Sequence, residues 1–233
     1  MSNYAIVLGG GSGRRMGSDI NKVFLPLRGI PVIVRALAPF TGFCAGAVVV
    51  AAADEVADMQ AILAKYGMGR FVKAVVPGGS ERQHSVYNGL RALPGDAEYV
   101  LIHDGARALV TESVIARALE SVEQHGSGIA SIPVVDTIKR AAPDGLVLET
   151  PDRASLYAMQ TPQAFRLDVI MAAHEKARED GFLGTDDASL LEHAGIPVYL
   201  SQGHRENLKL TTPTDMELAE VILQIRADEE DPE

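Results

Sequence analysis

Residues 4–16 read YAIVLGGGSGRRM, a short apolar run followed at once by a glycine-rich turn that carries two arginines. Apolar and β-branched residues in a run of this length predict a buried strand. The glycines that follow let backbone N–H groups approach an anion closely, because no Cβ stands in the way. The stretch therefore predicts a strand whose carboxyl end leads into an anion-binding loop.

Similar apolar runs recur further along the chain, and amphipathic stretches separate them. The runs are AVVVAA at 47–52, VKAVV at 72–76, YVLIH at 99–103 and GIASIPVV at 128–135. The amphipathic stretches predict helices over about 30–40, 54–66, 81–92, 112–124, 167–180, 186–194 and 214–226. This alternation is typical of βαβ units. We predict a Rossmann-like three-layer α/β/α fold with a mostly parallel mixed sheet, so that the loops after the first, third and fourth runs face one crevice.

One segment, residues 136–162, interrupts the alternation. It is rich in polar groups, and APDG at 142–145 is typical of a turn between two β-like arms. We predict a protruding β-arm here, within a single domain that spans residues 1–226. The acidic residues 227–233 are expected to form a solvated C-terminal tail.

Composition narrows the class of protein. A formal net charge of −10 and the absence of tryptophan argue against nucleic-acid binding. An anionic ligand would need a local cluster of Arg and Lys. Cys44 is the single cysteine, which excludes an internal disulfide. The chain has no leader pattern and no apolar run of about 18 residues, so we expect a cytoplasmic protein with no membrane segment.

The glycine loop matches neither of two well-known nucleotide motifs. A dinucleotide fingerprint needs a third glycine where Arg14 stands, counting from Gly9, or where Met16 stands, counting from Gly11. A Walker loop needs a Gly-Lys-Ser/Thr ending, which the stretch lacks. The loop therefore indicates an anion site of another kind.

Lys22 and the segment PLRGIPVI at 26–33 follow the loop, as in nucleotidyltransferases that activate sugars and polyol phosphates. Later stretches extend this similarity from about residue 4 to 223: PGGSERQHSVYNGL at 77–90, IHDGAR at 102–107, PVVDTIKRA at 133–141, DRASLYAMQTPQAF at 152–165, and TDDASLLEHAG with RENLKLTTPTD within 185–215. Together they resemble the 2-C-methyl-D-erythritol 4-phosphate cytidylyltransferase family. The resemblance implies a nucleotide-diphospho-sugar transferase type of fold.

The resemblance also implies a reaction. A phosphate oxygen of methylerythritol phosphate would attack the α-phosphorus of CTP and expel pyrophosphate, with Mg²⁺ as the cofactor. Such a transfer depends on alignment and on cations around the reacting phosphate. Motif by motif, the catalytic cations would be Arg15, Lys22 and Lys209.

Further roles follow from the same resemblance. Nucleotide-binding residues would be Gly9, Gly10, Gly11, Ser12, Gly13, Gly79, Ser80 and Ser85. The polyol phosphate would contact Asp104, Arg107, Thr137, Arg153, Thr161 and Thr185, and Asp104 would also be the metal ligand. In this family the 136–162 arm clasps a second subunit, which implies a homodimer in which Thr137 and Arg153 serve the partner's site.

Some positions depart from the family's usual pattern: Gly9, Gly10, Asn21, Ser80, Gly105 and Ala108. Because Gly105 and Ala108 flank the expected polyol site, a second acceptor, ribitol 5-phosphate, stays open. A third hypothesis is a nucleotide-binding module without turnover. Assays of pyrophosphate release with CTP and each acceptor separate the three.

Overall fold

The computed structural model describes residues 2–10 and 21–230. Within these ranges the strands are β1 (Asn3–Leu8), β2 (Pro26–Leu27), β3 (Ile30–Pro31), β4 (Gly46–Ala51), β5 (Val72–Pro77), β6 (Tyr99–Asp104), β7 (Ser127–Pro133), β8 (Arg140–Ala141), β9 (Val147–Glu149), β10 (Tyr157–Arg166) and β11 (Leu200–Gln202). The α-helices are α1 (Val32–Leu37), α2 (Val56–Lys65), α3 (Arg82–Arg91), α4 (Glu112–His125), α5 (Leu167–Glu179), α6 (Ala188–His193) and α7 (Pro213–Glu230).

Seven of these strands form the central sheet, in the order β11-β7-β10-β6-β1-β4-β5. β1 pairs in parallel with β4 on one side and β6 on the other, and β4 pairs in parallel with β5. β10 runs antiparallel to β6 and β7, and β11 is parallel to β7. The predicted mostly parallel mixed sheet is confirmed.

Apolar side chains cover both faces of the sheet, because successive residues of a strand point to opposite sides. On one face Val7 of β1 packs in a cluster with Leu37 of α1 and Ile115 of α4. On the other face Ile6 packs in a cluster with Val86 of α3 and Ile170 of α5. The two buried clusters confirm the three-layer arrangement.

Only part of the 136–162 segment forms an arm, which is therefore shorter than the sequence predicted. β8 and β9 form the expected hairpin, closed by a hydrogen bond of 2.8 Å from the Ala142 N–H to the Leu146 carbonyl. β10 begins at Tyr157 and belongs to the central sheet. The excursion therefore ends before residue 157, and residues 157–162 are part of the core architecture.

Two further differences concern the end of the chain. β11, at the edge of the sheet, was not predicted. α7 continues to Glu230, so residues 227–230 extend a helix instead of forming a separate tail. Among the helices described, none has the length and apolar character that a membrane crossing needs.

Candidate functional site

The crevice lies at the carboxyl ends of β1, β4 and β6. Backbone hydrogen bonds join the loops there: the Gly9 N–H donates to the Val50 carbonyl at 2.7 Å, and the Gly105 N–H donates to the Leu8 carbonyl at 2.9 Å. The Gly78 N–H, after β5, donates to the Ala51 carbonyl at 2.8 Å. In open α/β sheets ligands bind where strand order reverses, here between β1 and β6. The loops predicted to share one crevice do so.

A pocket of about 460 Å³ occupies one part of this crevice. Four predicted nucleotide-binding residues line it: Gly10, Gly79, Ser80 and Ser85. The Ser85 hydroxyl accepts a hydrogen bond from the Gly79 N–H and donates one to the Glu81 carbonyl, both at 3.0 Å. Ser85 therefore shapes the pocket by holding the loop around Gly79.

Gly9 is placed differently from its prediction. Its N–H is bonded to Val50, and its carbonyl accepts a hydrogen bond of 2.8 Å from the buried Asn21 side chain. The N–H thus has its partner inside the protein and is not offered to a base. A Cβ at Gly9 would lie 2.8 Å from Met59 Cε, which shows that the buried Met59 fills the space of a larger residue. Gly9 therefore has a packing role in this structure, and its predicted contact with the nucleotide stays a prediction.

A second pocket, of about 310 Å³, adjoins the first. It brings together five predicted residues: Asp104, Arg107, Thr161, Thr185 and Lys209. Side chains that the sequence analysis did not single out also line it: Arg82, Gln163 and Asp186. Three cations on the walls of one small pocket, in a chain of net charge −10, form the local cluster that an anionic ligand requires.

Asp104 is the electrostatic centre of this pocket. Its Oδ2 lies 2.7 Å from Lys209 Nζ, and its Oδ1 lies 3.7 Å from Arg82 Nε. Burial would raise the pKa of Asp104, but Lys209 and Arg82 outweigh burial and hold the pKa at about 2. The carboxylate is therefore ionised at neutral pH and presented between two cations.

The segment around Lys209 is fixed on one side to β10 and on the other to the loop after β6. The buried Asn207 side chain donates a hydrogen bond of 2.8 Å to the Thr161 carbonyl, and the Leu210 N–H donates one of 2.9 Å to the Ala106 carbonyl. Arg107 also donates to the Asn207 carbonyl. These bonds bring Lys209 beside Asp104 although the two are remote in sequence.

Thr161 has a structural task that its prediction as a substrate contact did not include. His103 Nε2 lies 3.2 Å from the Arg107 carbonyl, which only accepts, so Nε2 carries the proton. Burial lowers the pKa of His103 to about 4, and the neutral ring therefore accepts at Nδ1 from the Thr161 hydroxyl, 3.0 Å away. Thr161 Oγ1 in turn accepts from the Asp104 N–H at 3.0 Å. The hydroxyl proton is thus committed, and Thr161 supports the backbone of Asp104.

The donor set does not fit a metal ion held by protein ligands. Both oxygens of Asp104 face cations, and nowhere in residues 2–10 and 21–230 do three or more His, Cys, Asp or Glu gather in a way that could hold a metal. Mg²⁺ in nucleotide sites often takes most of its ligands from phosphates and water. The prediction of Asp104 as a direct metal ligand is therefore not supported by this geometry.

The two predicted contacts on the arm lie apart from both pockets. Thr137 and Arg153 are exposed, and Arg153 Nη1 donates a hydrogen bond of 2.8 Å to the Val135 carbonyl on the arm itself. Four apolar side chains of the arm are also exposed, as is Val135 directly before it: Ile138, Leu146, Val147 and Leu148. In this chain residues 136–156 do not contribute to the lining of either pocket, whereas Thr161, which belongs to β10, lines the second.

Part of the predicted site lies outside the described residues: Gly11, Ser12, Gly13 and Arg15. Lys22 is described, half-buried at the start of a 3₁₀ turn, Lys22–Phe24, directly after Asn21. Asn21 caps that turn by accepting a hydrogen bond of 3.3 Å from the Val23 N–H.

Sequence reasoning missed Arg82 and its partner Asp187. Arg82 lies in GGSERQHS and Asp187 in TDDAS, two stretches that resemble the family's motifs. As charged residues at the starts of helices they are typical of solvated surface. The structure buries Asp187 almost completely, with 1% of the residue exposed. A long-range ion pair of this kind leaves no local pattern in the sequence.

Comparisons with known proteins agree with this geometry. A family model described as 2-C-methyl-D-erythritol 4-phosphate cytidylyltransferase matches residues 4–225. Proteins of that name from Symbiobacterium thermophilum and Geobacillus thermodenitrificans are 47% and 49% identical, covering 95% and 97% of this chain and 93% and 99% of their own. The crystal structure of 4-diphosphocytidyl-2C-methyl-D-erythritol synthase from Anaerococcus prevotii superposes with a TM-score of 0.84 at 29% identity, over 96% of this chain and 98% of that one.

Proposed function

We propose, from the premise that the chain belongs to the 2-C-methyl-D-erythritol 4-phosphate cytidylyltransferase family, that the crevice between β1 and β6 is its active site. The protein is a nucleotidyltransferase that transfers CMP from CTP to 2-C-methyl-D-erythritol 4-phosphate and releases pyrophosphate, in non-mevalonate isoprenoid biosynthesis. The observation that carries the site is the adjacency of two pockets with the ion pair of Asp104 and Lys209 in the second.

We assign one substrate to each pocket. The first, lined by Gly10, Gly79, Ser80 and Ser85, suits a pyrimidine nucleotide, because its glycines allow close approach to the backbone. A Cβ at Gly79 would clash with His84 Cβ, so the loop needs glycine there. The second pocket suits the acceptor, whose hydroxyls would bind the Asp104 carboxylate and whose phosphate would bind the cations.

Phosphoryl transfer of this kind needs alignment and charge stabilisation more than covalent help. A phosphate oxygen of the acceptor attacks the α-phosphorus of CTP, the new P–O bond forms, and the bond to the β-phosphate oxygen breaks. Lys209, held at the border of the acceptor pocket, would stabilise negative charge on the equatorial oxygens. Lys22 and Arg15 would do the same from the glycine loop.

We propose that Mg²⁺ binds together with CTP and that the triphosphate and water would supply its ligands. It would neutralise part of the triphosphate charge. Assaying pyrophosphate release while magnesium is chelated, and then restored, tests the requirement.

The acceptor is tested with purified protein, CTP and either polyol phosphate. Pyrophosphate release with 2-C-methyl-D-erythritol 4-phosphate is the expected result, since the relatives of nearly full coverage carry that name. Release with ribitol 5-phosphate alone would favour the second acceptor. CTP binding without release, with both acceptors, would favour a module without turnover.

We further propose a homodimer in which the arm of one chain reaches the acceptor pocket of the other. The exposed apolar side chains of the arm, and the placement of Thr137 and Arg153 away from this chain's own pockets, support that proposal.

The cytoplasmic location expected from the sequence also stays a prediction, which cell fractionation tests.

Mixing two inactive variants tests the dimer. If Arg153 acts on the partner's site, a mixed dimer of Arg153→Ala and Lys209→Ala chains contains one site in which both residues are intact. Turnover should then return on mixing. If Arg153 acts within its own chain, each site keeps one defect and the mixture stays as slow as the parents.

A further inference from the structure

Arg82 is the residue that the two pockets share. It lines the nucleotide pocket together with Ser85 and lines the acceptor pocket together with Asp104. Arg82 is the first residue of α3, and because it lines both pockets it lies where two bound substrates would meet. The family's catalytic cations, as matched to this sequence, do not include it.

The Arg82 guanidinium forms an ion pair with the buried carboxylate of Asp187. Arg82 Nη2 lies 2.8 Å from Asp187 Oδ2, while Arg82 Nε lies 3.7 Å from Asp104 Oδ1. Asp187 is 1% exposed, and its Oδ1 has no hydrogen-bond partner among the described residues; His174 Nε2 is 4.0 Å away. Because Asp187 has so little other compensation, withdrawing Arg82 from it would be costly.

The pKa shifts of Arg82 and Asp187 are consistent with an ion pair between them, close to Asp104. Burial alone would lower the pKa of Arg82, but Asp187 and Asp104 outweigh it and raise the pKa. Burial raises the pKa of Asp187, and Arg82 offsets part of that effect. Arg82 is therefore a permanent cation fixed by Asp187.

Asp104 depends on this cation for its orientation. Lys209 holds Oδ2, and Arg82 faces Oδ1, so the carboxylate lies between two positive groups. Without Arg82 the carboxylate would be free to turn toward Lys209 and take up more of the ammonium's hydrogen-bonding capacity. Both the acceptor hydroxyls and the phosphate that Lys209 must contact would then lose a partner.

Resting on the proposed function, we propose that Arg82 is a positioning residue that Asp187 anchors at the border of the two pockets. From there it orients the Asp104 carboxylate for the acceptor and leaves Lys209 available to the phosphates. Its effect passes through Asp104, so it should appear in the use of the acceptor more than in the binding of CTP.

The test is a double-mutant cycle read as kcat/KM for the acceptor. Arg82→Gln alone would leave Asp187 as an unpaired buried charge, so the variant used is R82Q/D187N, which removes both charges at similar volume. It is made in the native background and in Asp104→Asn. Turnover by the unaltered enzyme, with CTP and 2-C-methyl-D-erythritol 4-phosphate, is established first, so that a failure of the proposed function is recognised separately.

We expect R82Q/D187N to lower kcat/KM for the acceptor by about tenfold or more in the native background, and by less than about twofold in the Asp104→Asn background. KM for CTP should change by less than about twofold. Arg82→Lys, which keeps the charge, should recover part of the loss. Equal losses in both backgrounds, or unchanged kinetics, would overturn the proposal.

A matched control separates positioning from general loss of an ion pair. Arg166 pairs with Asp168 at 2.9 Å on the exposed surface at the end of β10. R166Q/D168N removes the same two charged groups and should leave the kinetics of both substrates unchanged. A loss in this control equal to that in R82Q/D187N would also count against the proposal.

Discussion

The side-chain amide of Asn21 donates a hydrogen bond of 2.8 Å to the carbonyl oxygen of Gly9. The same amide donates one of 2.7 Å to the Glu55 carboxylate, just before α2. Asn21 is buried, with 4% of the residue exposed, and Lys22 follows it directly. This relationship joins the end of β1 to the start of the 3₁₀ turn that carries Lys22.

Removing this link should impair the use of CTP. Asn21→Ala loses both donated hydrogen bonds and the bond it accepts from the Val23 N–H, and leaves the Gly9 carbonyl without its side-chain partner. These losses should displace Lys22 and raise KM for CTP by about fivefold to tenfold. KM for the acceptor should change little. Initial rates at varied CTP check this. Asn3→Ala, which removes a bond of 3.2 Å to the Phe43 carbonyl at the other end of β1, is the control; an equal effect there would refute the link to Lys22.

The cations of the site should be indispensable for rate. Lys209→Ala and Lys22→Ala each remove a charge proposed to stabilise the transferring phosphoryl group, and each should lower kcat by about 10²–10³-fold. Lys176→Ala, which breaks an exposed ion pair with Asp180 of 2.9 Å on α5, should leave kcat unchanged. Rates of pyrophosphate release measure all three. Full turnover by the Lys22 variant would remove that lysine from the mechanism.

The central architecture was predictable because its signals are local. YAIVL predicted β1, which is observed over Asn3–Leu8, whereas most of the glycine-rich turn after it lies outside the described residues. β10 escaped prediction because polar residues and a proline interrupt its pattern. Its buried Gln160 and Gln163 are satisfied by side chain to backbone bonds: Gln160 donates to the His204 carbonyl at 2.9 Å, and Gln163 accepts from the Ala188 N–H at 3.1 Å. Such compensation depends on tertiary contacts that periodicity does not report.

The site residues also separate into those that local motifs predict and those that depend on tertiary contacts. Asp104 and Lys209 were identified from motifs, and the structure places them 2.7 Å apart. Arg82 and Asp187 were not predicted, because no pattern near either residue in the sequence indicates an ion pair across the fold. The role of Thr161 as the support of Asp104 likewise depends on His103, a contact across the fold that no local pattern reports.

Glycine at position 105 should be required for packing in this chain. A Cβ there would lie 2.8 Å from both the Leu8 carbonyl oxygen and Ile33 Cδ1, and the backbone oxygen cannot move aside cheaply. Gly105→Ala, although alanine is usual in the family, should lower the free energy of unfolding by about 1–3 kcal/mol. Gly10→Ala is the control, because its Cβ would meet nothing closer than 3.4 Å. Urea denaturation measures both; equal stability of the two variants would contradict this account.

Stability should fall in mild acid because of His103. Burial lowers the pKa of its ring to about 4, whereas in the unfolded chain the pKa is about 6.5. Between these values the unfolded state binds more protons, so the free energy of unfolding decreases as pH falls, by up to about 1.4 kcal/mol per pH unit. Above about pH 7 His103 contributes no pH dependence, since the ring is neutral in both states.

His103→Gln isolates this contribution. Glutamine offers a donor for the Arg107 carbonyl and an acceptor for the Thr161 hydroxyl, the two bonds that the neutral ring makes, but it does not titrate. Urea denaturation at several values between about pH 7 and pH 5 should therefore give a shallower decline for the variant than for the native chain. Asp104, with its pKa held at about 2, loses its contribution only below about pH 4 and does not obscure the comparison. Parallel slopes for the two proteins would show that His103 binds protons equally in the folded and unfolded chain, and would contradict the account in which burial keeps the ring neutral as an acceptor for the Thr161 hydroxyl.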